Sequence, residues 1–128
     1  MRLLIRKLNW TKHCSDDYDE IKWTIYDDLK VEIEEIYRLE EKNKKQCSCL
    51  NSQDYETILT NLDIFKSNNV ENIGALDGAA WEFIQYEEDT EIWKREASYI
   101  YGIKPLEKIT DILEKIRNQI SDLNLDRK

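Results

Sequence analysis

The chain has 128 residues, 41% of them hydrophobic and 36% charged, with 27 acidic side chains against 19 basic ones and a formal net charge of −8. That is material for one domain spanning 1–128 and not for two. The 10% aromatic content separates it from disordered chains, and no apolar run approaches the roughly 20 residues that cross a bilayer. The acidic balance also argues against nucleic acid as a partner, because binding to a phosphate backbone draws its affinity from Lys and Arg.

The opening Met1-Arg2-Leu3-Leu4-Ile5-Arg6-Lys7-Leu8 is too short and too charged for a secretory signal, so a cytoplasmic protein is expected. Leu3 to Leu8 reads as a first strand. Ile21, Trp23 and Ile25 then alternate with Glu20, Lys22 and Thr24, and after Asp27-Asp28 the alternation resumes with Leu29, Val31 and Ile33. This is a hairpin turning near Asp27 and Asp28, although no Gly supports the turn. Residues 33–41 carry helix-favouring side chains as well, and strand is the reading adopted. Glu40 to Ser52 carries charge without apolar periodicity and reads as a loop.

From Gln53 the period is helical, with Tyr55, Ile58, Leu59, Leu62 and Phe65 at spacings of three and four. Asn51 or Ser52 serves as N-cap, and Asp54 and Glu56 sit where the helix dipole favours negative charge. Ala79 to Tyr86 and Glu91 to Ser98 form a second hairpin around Glu87-Glu88-Asp89-Thr90. Pro105 suits the first turn of a closing helix. Leu106, Ile109, Ile112, Leu113, Ile116, Ile120 and Leu123 give that helix one continuous apolar stripe. The expected class is α+β: an antiparallel sheet of about four to six strands in two hairpins, with two helices packed on one face.

Three constellations carry candidate chemistry. His13, Cys14, Cys47 and Cys49 are potential metal ligands, and the first hairpin could bring their segments together. Structural zinc sites, however, space their cysteines two to four residues apart, and here the intervals are zero and one. The bland alternative is three reduced thiols. Carboxylate pairs occur at Asp16-Asp17, Asp27-Asp28, Glu34-Glu35, Glu40-Glu41 and Glu87-Glu88-Asp89. Acid–base catalysis needs a cleft that separates two pKa values, whereas these pairs fall mostly at turns and solvated edges, so no catalytic residue and no cofactor is assigned. No phosphate-binding glycine loop exists.

The third constellation is the charge distribution itself. Between Ser15 and Glu41 stand eleven acids and three bases, and between Glu82 and Glu91 five acids and no base. The negative charge is therefore concentrated on the hairpins, where a localised field steers a cationic partner, though a negative surface also serves solubility on its own. Trp10 and Trp93 are the candidate aromatic anchors, since interfaces favour Trp and Tyr within polar rims. Trp23 and Trp81 are expected in the core.

The segment Leu76-Asp77-Gly78-Ala79-Ala80-Trp81-Glu82-Phe83, with the charged turn, second strand and Pro105-Leu106 helix that follow it, resembles a group of small bacterial proteins. These share a D-G-x-x-W hairpin and a C-terminal helix, and the resemblance covers roughly Leu76 to Ile120. It implies a Gly78 bend and a Trp81 core plug beneath the closing helix, and it carries over no catalytic residue. In size, charge and aromatic content the chain is also similar to immunity proteins, which occupy the often basic active sites of bacterial toxins.

The function expected from these features is a non-enzymatic inhibitor of the immunity or antitoxin type. Its partner would be a basic protein, a toxin domain such as a nuclease, and neither nucleic acid nor membrane. The expected contacts are Asp16, Asp17, Asp27, Asp28, Glu87, Glu88 and Asp89 for charge, with Trp10 and Trp93 as anchors. The competing expectation is a metal-dependent or redox-sensitive regulator using His13, Cys14, Cys47 and Cys49.

Overall fold

The computed structural model describes residues 1–9, 19–38, 41–67, 79–97 and 103–126. Six strands and two helices follow in the order β1 (Arg2–Asn9), β2 (Glu20–Tyr26), β3 (Lys30–Tyr37), β4 (Lys42–Cys49), α1 (Ser52–Ser67), β5 (Ala79–Glu87), β6 (Thr90–Ala97) and α2 (Lys104–Asp126). The strands form one open, antiparallel sheet ordered β4-β3-β2-β1-β5-β6. The first four make a meander. The chain then crosses through α1 and returns on the far side of β1, so the first strand lies inside the sheet.

Period-two alternation decides which face is buried. Leu3 and Ile5, Ile21, Trp23 and Ile25, Val31 and Ile33, and Trp81 and Phe83 all point to one side. The stripes of the helices cover that side with Ile58, Leu62 and Phe65 from α1 and Leu106, Ile109, Leu113 and Ile116 from α2, in one continuous cluster. Within it five aromatic rings stand in sequence. Trp23 stacks on Trp81 at 5.9 Å, Trp81 on Phe83 at 6.5 Å, and Phe83 meets Phe65 at 5.7 Å, which abuts Trp93 edge-on at 6.3 Å. Trp23 and Trp81 are thus core residues, as expected. The side chains of Ile120 and Leu123, which the sequence pattern adds to the stripe of α2, lie outside the described residues.

The sequence reading of Glu40 to Ser52 as a loop is corrected: Lys42–Cys49 is a full edge strand paired along its length with β3. Its residues are almost all exposed, so an alternation of apolar and polar side chains has nothing to act on, and the strand is held by backbone hydrogen bonds. Three lysines on it suit an edge that must not recruit further strands.

All three described hairpin turns place a residue other than Gly at positive φ: Leu29 at 74°, Glu41 at 48° and Glu88 at 54°. At the first of them, Leu29 N–H donates to the Tyr26 carbonyl at 3.1 Å and Lys30 N–H donates to Asp28 Oδ1 at 3.1 Å. These bonds hold a conformation for which glycine is the usual choice.

Helix α1 starts where Asn51 Oδ1 accepts the Asp54 N–H at 2.7 Å, while Asn51 Nδ2 donates back to Asp54 Oδ2 at 3.3 Å. Asp54 Oδ2 also accepts from Lys115 Nζ of α2 at 2.9 Å. Asn51→Ala removes the cap and should cost about 1 kcal/mol, read as a fall in the denaturant midpoint at unchanged m-value. An unshifted midpoint would show that the helix end draws nothing from this side chain.

Candidate functional site: an acidic end of the sheet

The register of β1 with its two neighbours organises the charge. Arg2 pairs with Tyr26 of β2 on one side and with Tyr86 of β5 on the other. The turn after Tyr26 and the turn after Glu87 therefore emerge from the same end of the sheet. Only β1 separates them, which amounts to two strand spacings or roughly 10 Å.

Asp27, Asp28, Glu87, Glu88, Asp89 and Glu91 are exposed there. The α-amino group of Met1 lies between the turns and donates to Asp27 Oδ2 at 3.0 Å. That bond raises the proton affinity of the amine, reinforced by the charges of Asp27 and Glu87, and holds the Asp27 carboxyl below its ordinary value. The negative field reaches Tyr55 on α1, whose hydroxyl is pushed up first by burial and then by Asp27. Two other cations at this end lie over aromatic rings, Arg2 at 4.6 Å from the centroid of Tyr86 and Lys30 at 5.8 Å from that of Tyr26. Six acids thus face three cations, and the end is net negative.

Several acids elsewhere are matched within the fold. On the sheet face that the helices leave uncovered, Arg6 bonds both Glu20 and Glu82, and Lys94 Nζ reaches Glu82 Oε2 at 3.6 Å. Lys30 Nζ lies 3.7 Å from Glu32 Oε1. On the helix-covered face, Glu35 accepts from Tyr37 Oη at 2.7 Å and from Arg117 Nε of α2 at 2.7 Å. Burial alone pushes the Glu35 carboxyl up. The two hydrogen bonds and the charges of Arg117 and Lys44 outweigh it, and the net displacement is downward. Asp19 Oδ2 accepts the Arg38 N–H at 2.6 Å, joining the start of β2 to the end of β3.

Five of the seven acids expected to contact a partner, Asp27, Asp28, Glu87, Glu88 and Asp89, are therefore neighbours at one end of the sheet, while Asp16, Asp17 and Trp10 lie outside the described residues. Trp93 is half-buried on the helix-covered face, against Phe65 and with Lys66 Nζ 4.8 Å above its ring. It closes the aromatic row at the edge of the core. Tyr26 and Tyr86, half-buried on either side of Arg2, and Ile92, 51% exposed beside Glu91, are apolar groups close to the acidic turns. Sequence pattern did not single them out because each sits at a strand end, where alternation stops being informative. At Ile92 the register of β5 and β6 also shifts, by one residue, between Gln85 and Tyr86.

Of the four potential metal ligands, Cys47 and Cys49 are exposed on β4 opposite Glu32 and Lys30. His13 and Cys14 lie outside the described residues. β4 carries its cysteines roughly 13 to 20 Å along the sheet from the end where Asp19 N–H bonds the Ile36 carbonyl. An open groove of about 390 Å³ between the helices is lined by Gln53, Glu56, Thr57, Thr60, Asn61 and Lys108. All six lining residues carry polar or charged groups, and none is aromatic or aliphatic. Among the described residues, no helix is long and apolar enough to cross a membrane.

No protein-family model matches the chain, and no curated protein matches it either.

Proposed function

We propose that the protein is a non-enzymatic inhibitor of the immunity or antitoxin type, acting in the cytoplasm, which docks the acidic end of its sheet onto a basic surface of a toxin domain. One observation carries this reading. The Tyr26–Arg2–Tyr86 register brings two acidic turns, far apart in sequence, to the same end of the sheet, while the carboxylates of Glu20, Glu35 and Glu82 are paired within the fold. A cationic face approaching that end meets a field with only partial internal compensation, and Tyr26, Tyr86 and Ile92 supply apolar contact beside it. A basic, phosphate-handling active site such as that of a nuclease has the matching chemistry.

The test is co-expression with the C-terminal domain of a secreted protein encoded by a neighbouring gene, reading both survival and affinity. Charge reversal at Asp28, Glu87, Glu88 and Asp89 together should slow association by roughly ten- to a thousand-fold at low salt. It should also flatten the salt dependence that the native pair shows. Unchanged affinity and an unchanged salt slope would remove the acidic end from the interface.

A further inference from the structure

Cys47 and Cys49 take no part in the interface proposed above. They are exposed, alternate residues of an edge strand, so both thiols lie on one face of the sheet, the face opposite the helices. Extended geometry sets their Cα atoms about 6.7 Å apart with nearly parallel Cα–Cβ bonds. A disulfide needs its Cβ atoms within roughly 4.5 Å, so β4 holds the two as separate thiols and opposes their coupling to each other.

A metal ion bridges a wider gap. Two metal–sulfur bonds of about 2.3 Å span sulfurs up to roughly 4.6 Å apart, which rotation about χ1 reaches from parallel side chains. Among the described residues no set of three or more His, Cys, Asp and Glu is placed to hold a metal, so none of them completes a tetrahedral site around the pair. A soft cation satisfied by two thiolates fits the pair as it stands.

We propose that Cys47 and Cys49 form a two-thiolate site for Cu(I). Each thiol releases its proton to solvent, two copper–sulfur bonds form, and no electron is transferred. The complex carries one negative charge. Lys45, two residues before Cys47 on the same face, and Lys30, in register with Cys49, bring positive charge beside it, and Glu32, in register with Cys47 and 3.7 Å from Lys30, brings negative charge. The site uses neither acidic turn, although Lys30 stands at the same end of the sheet as both.

Anaerobic titration of the full-length protein with Cu(I), in competition with bicinchoninate, tests the assignment. One copper per chain is expected, with ultraviolet thiolate-to-copper absorption. Cys47→Ser and Cys49→Ser should each weaken binding by about 100-fold or more, because a chelate loses its second attachment, while Cys14→Ser should leave the affinity unchanged. Half a copper per chain with dimer formation, equal binding by either single variant, or loss of binding in Cys14→Ser would overturn the site. Alkylation of the unmodified protein gives a second readout that needs no variant. Cu(I) should protect the peptide containing Cys47 and Cys49 from iodoacetamide, and full alkylation of that peptide in the presence of copper would equally reject the proposal.

Discussion

Replacing Arg117 by Met should lower stability at neutral pH by roughly 3 kcal/mol, the usual consequence of removing one partner from a buried ion pair. Glu35 is only 6% exposed and points to the helix-covered face, where Arg117 Nε binds it at 2.7 Å. Without the guanidinium, the Tyr37 hydroxyl and the charge of Lys44 are the remaining support for a carboxylate still inside the protein. In a domain of this size that loss should lower the melting temperature by about 10 °C. If the cost comes from the stranded charge, then Glu35→Leu combined with Arg117→Met should recover most of it; a double variant as unstable as the single one would instead identify the stem of Arg117 as packing.

The pH dependence separates the same two accounts. In the native protein Glu35 titrates below its ordinary 4.5, so its contribution is fully present above that value and is lost as pH falls through the folded-state value. Arg117→Met removes a hydrogen bond and a charge that oppose the effect of burial, so the Glu35 carboxyl moves up from its native position. The deficit of the variant relative to the native protein therefore narrows on acidification and widens as pH rises. Urea midpoints measured from pH 3.5 to 7 read this directly, and parallel native and variant curves would contradict it.

The elements that the sequence announced are those whose side chains face two different media. Ile21, Trp23 and Ile25 alternate with polar neighbours because β2 is buried on one face only, and Leu106, Ile109, Leu113 and Ile116 recur at helical spacing because α2 presents one stripe to the sheet. β4 escaped notice because almost nothing on it is buried. The turns at Asp27-Asp28 and Glu88-Asp89 were placed by polar breaks between strands and not by glycine, since Leu29, Glu41 and Glu88 occupy conformations that glycine or asparagine usually marks.

The candidate site was legible in part. A count of acids located the negative charge on the hairpins, but counting along a chain cannot tell a carboxylate that faces an arginine from one that faces water. Arg6 is 14 residues from Glu20 and 76 from Glu82, and Arg117 is 82 from Glu35. Only the strand order brings them together, and once it does, Glu20, Glu35 and Glu82 leave the count while the acids of the two turns stay in it.

Arg6→Met should be comparably damaging, by about 3 kcal/mol at neutral pH, and its consequences should fall unequally on the two acids it joins. Nε of Arg6 binds Glu20 Oε1 at 2.9 Å and Nη1 binds Glu82 Oε1 at 3.1 Å, with the two carboxylate side chains only 5% and 12% exposed. Lys94 still holds Glu82 after the substitution. Glu20 loses its arginine and carries most of the cost, so adding Glu20→Gln to Arg6→Met should restore more stability than adding Glu82→Gln. Arg6→Lys should recover only a fraction, because one ammonium cannot reproduce a fork that reaches across β1 to both neighbouring strands. Arg6 also lies four residues along β1 from Arg2, roughly 13 Å from the acidic end, so Arg6→Met should weaken the fold while leaving the affinity for a cationic partner intact. Charge reversal at Glu87, Glu88 and Asp89 should do the opposite. Measured side by side, the two variants separate the carboxylates that hold this sheet together from those available to another molecule.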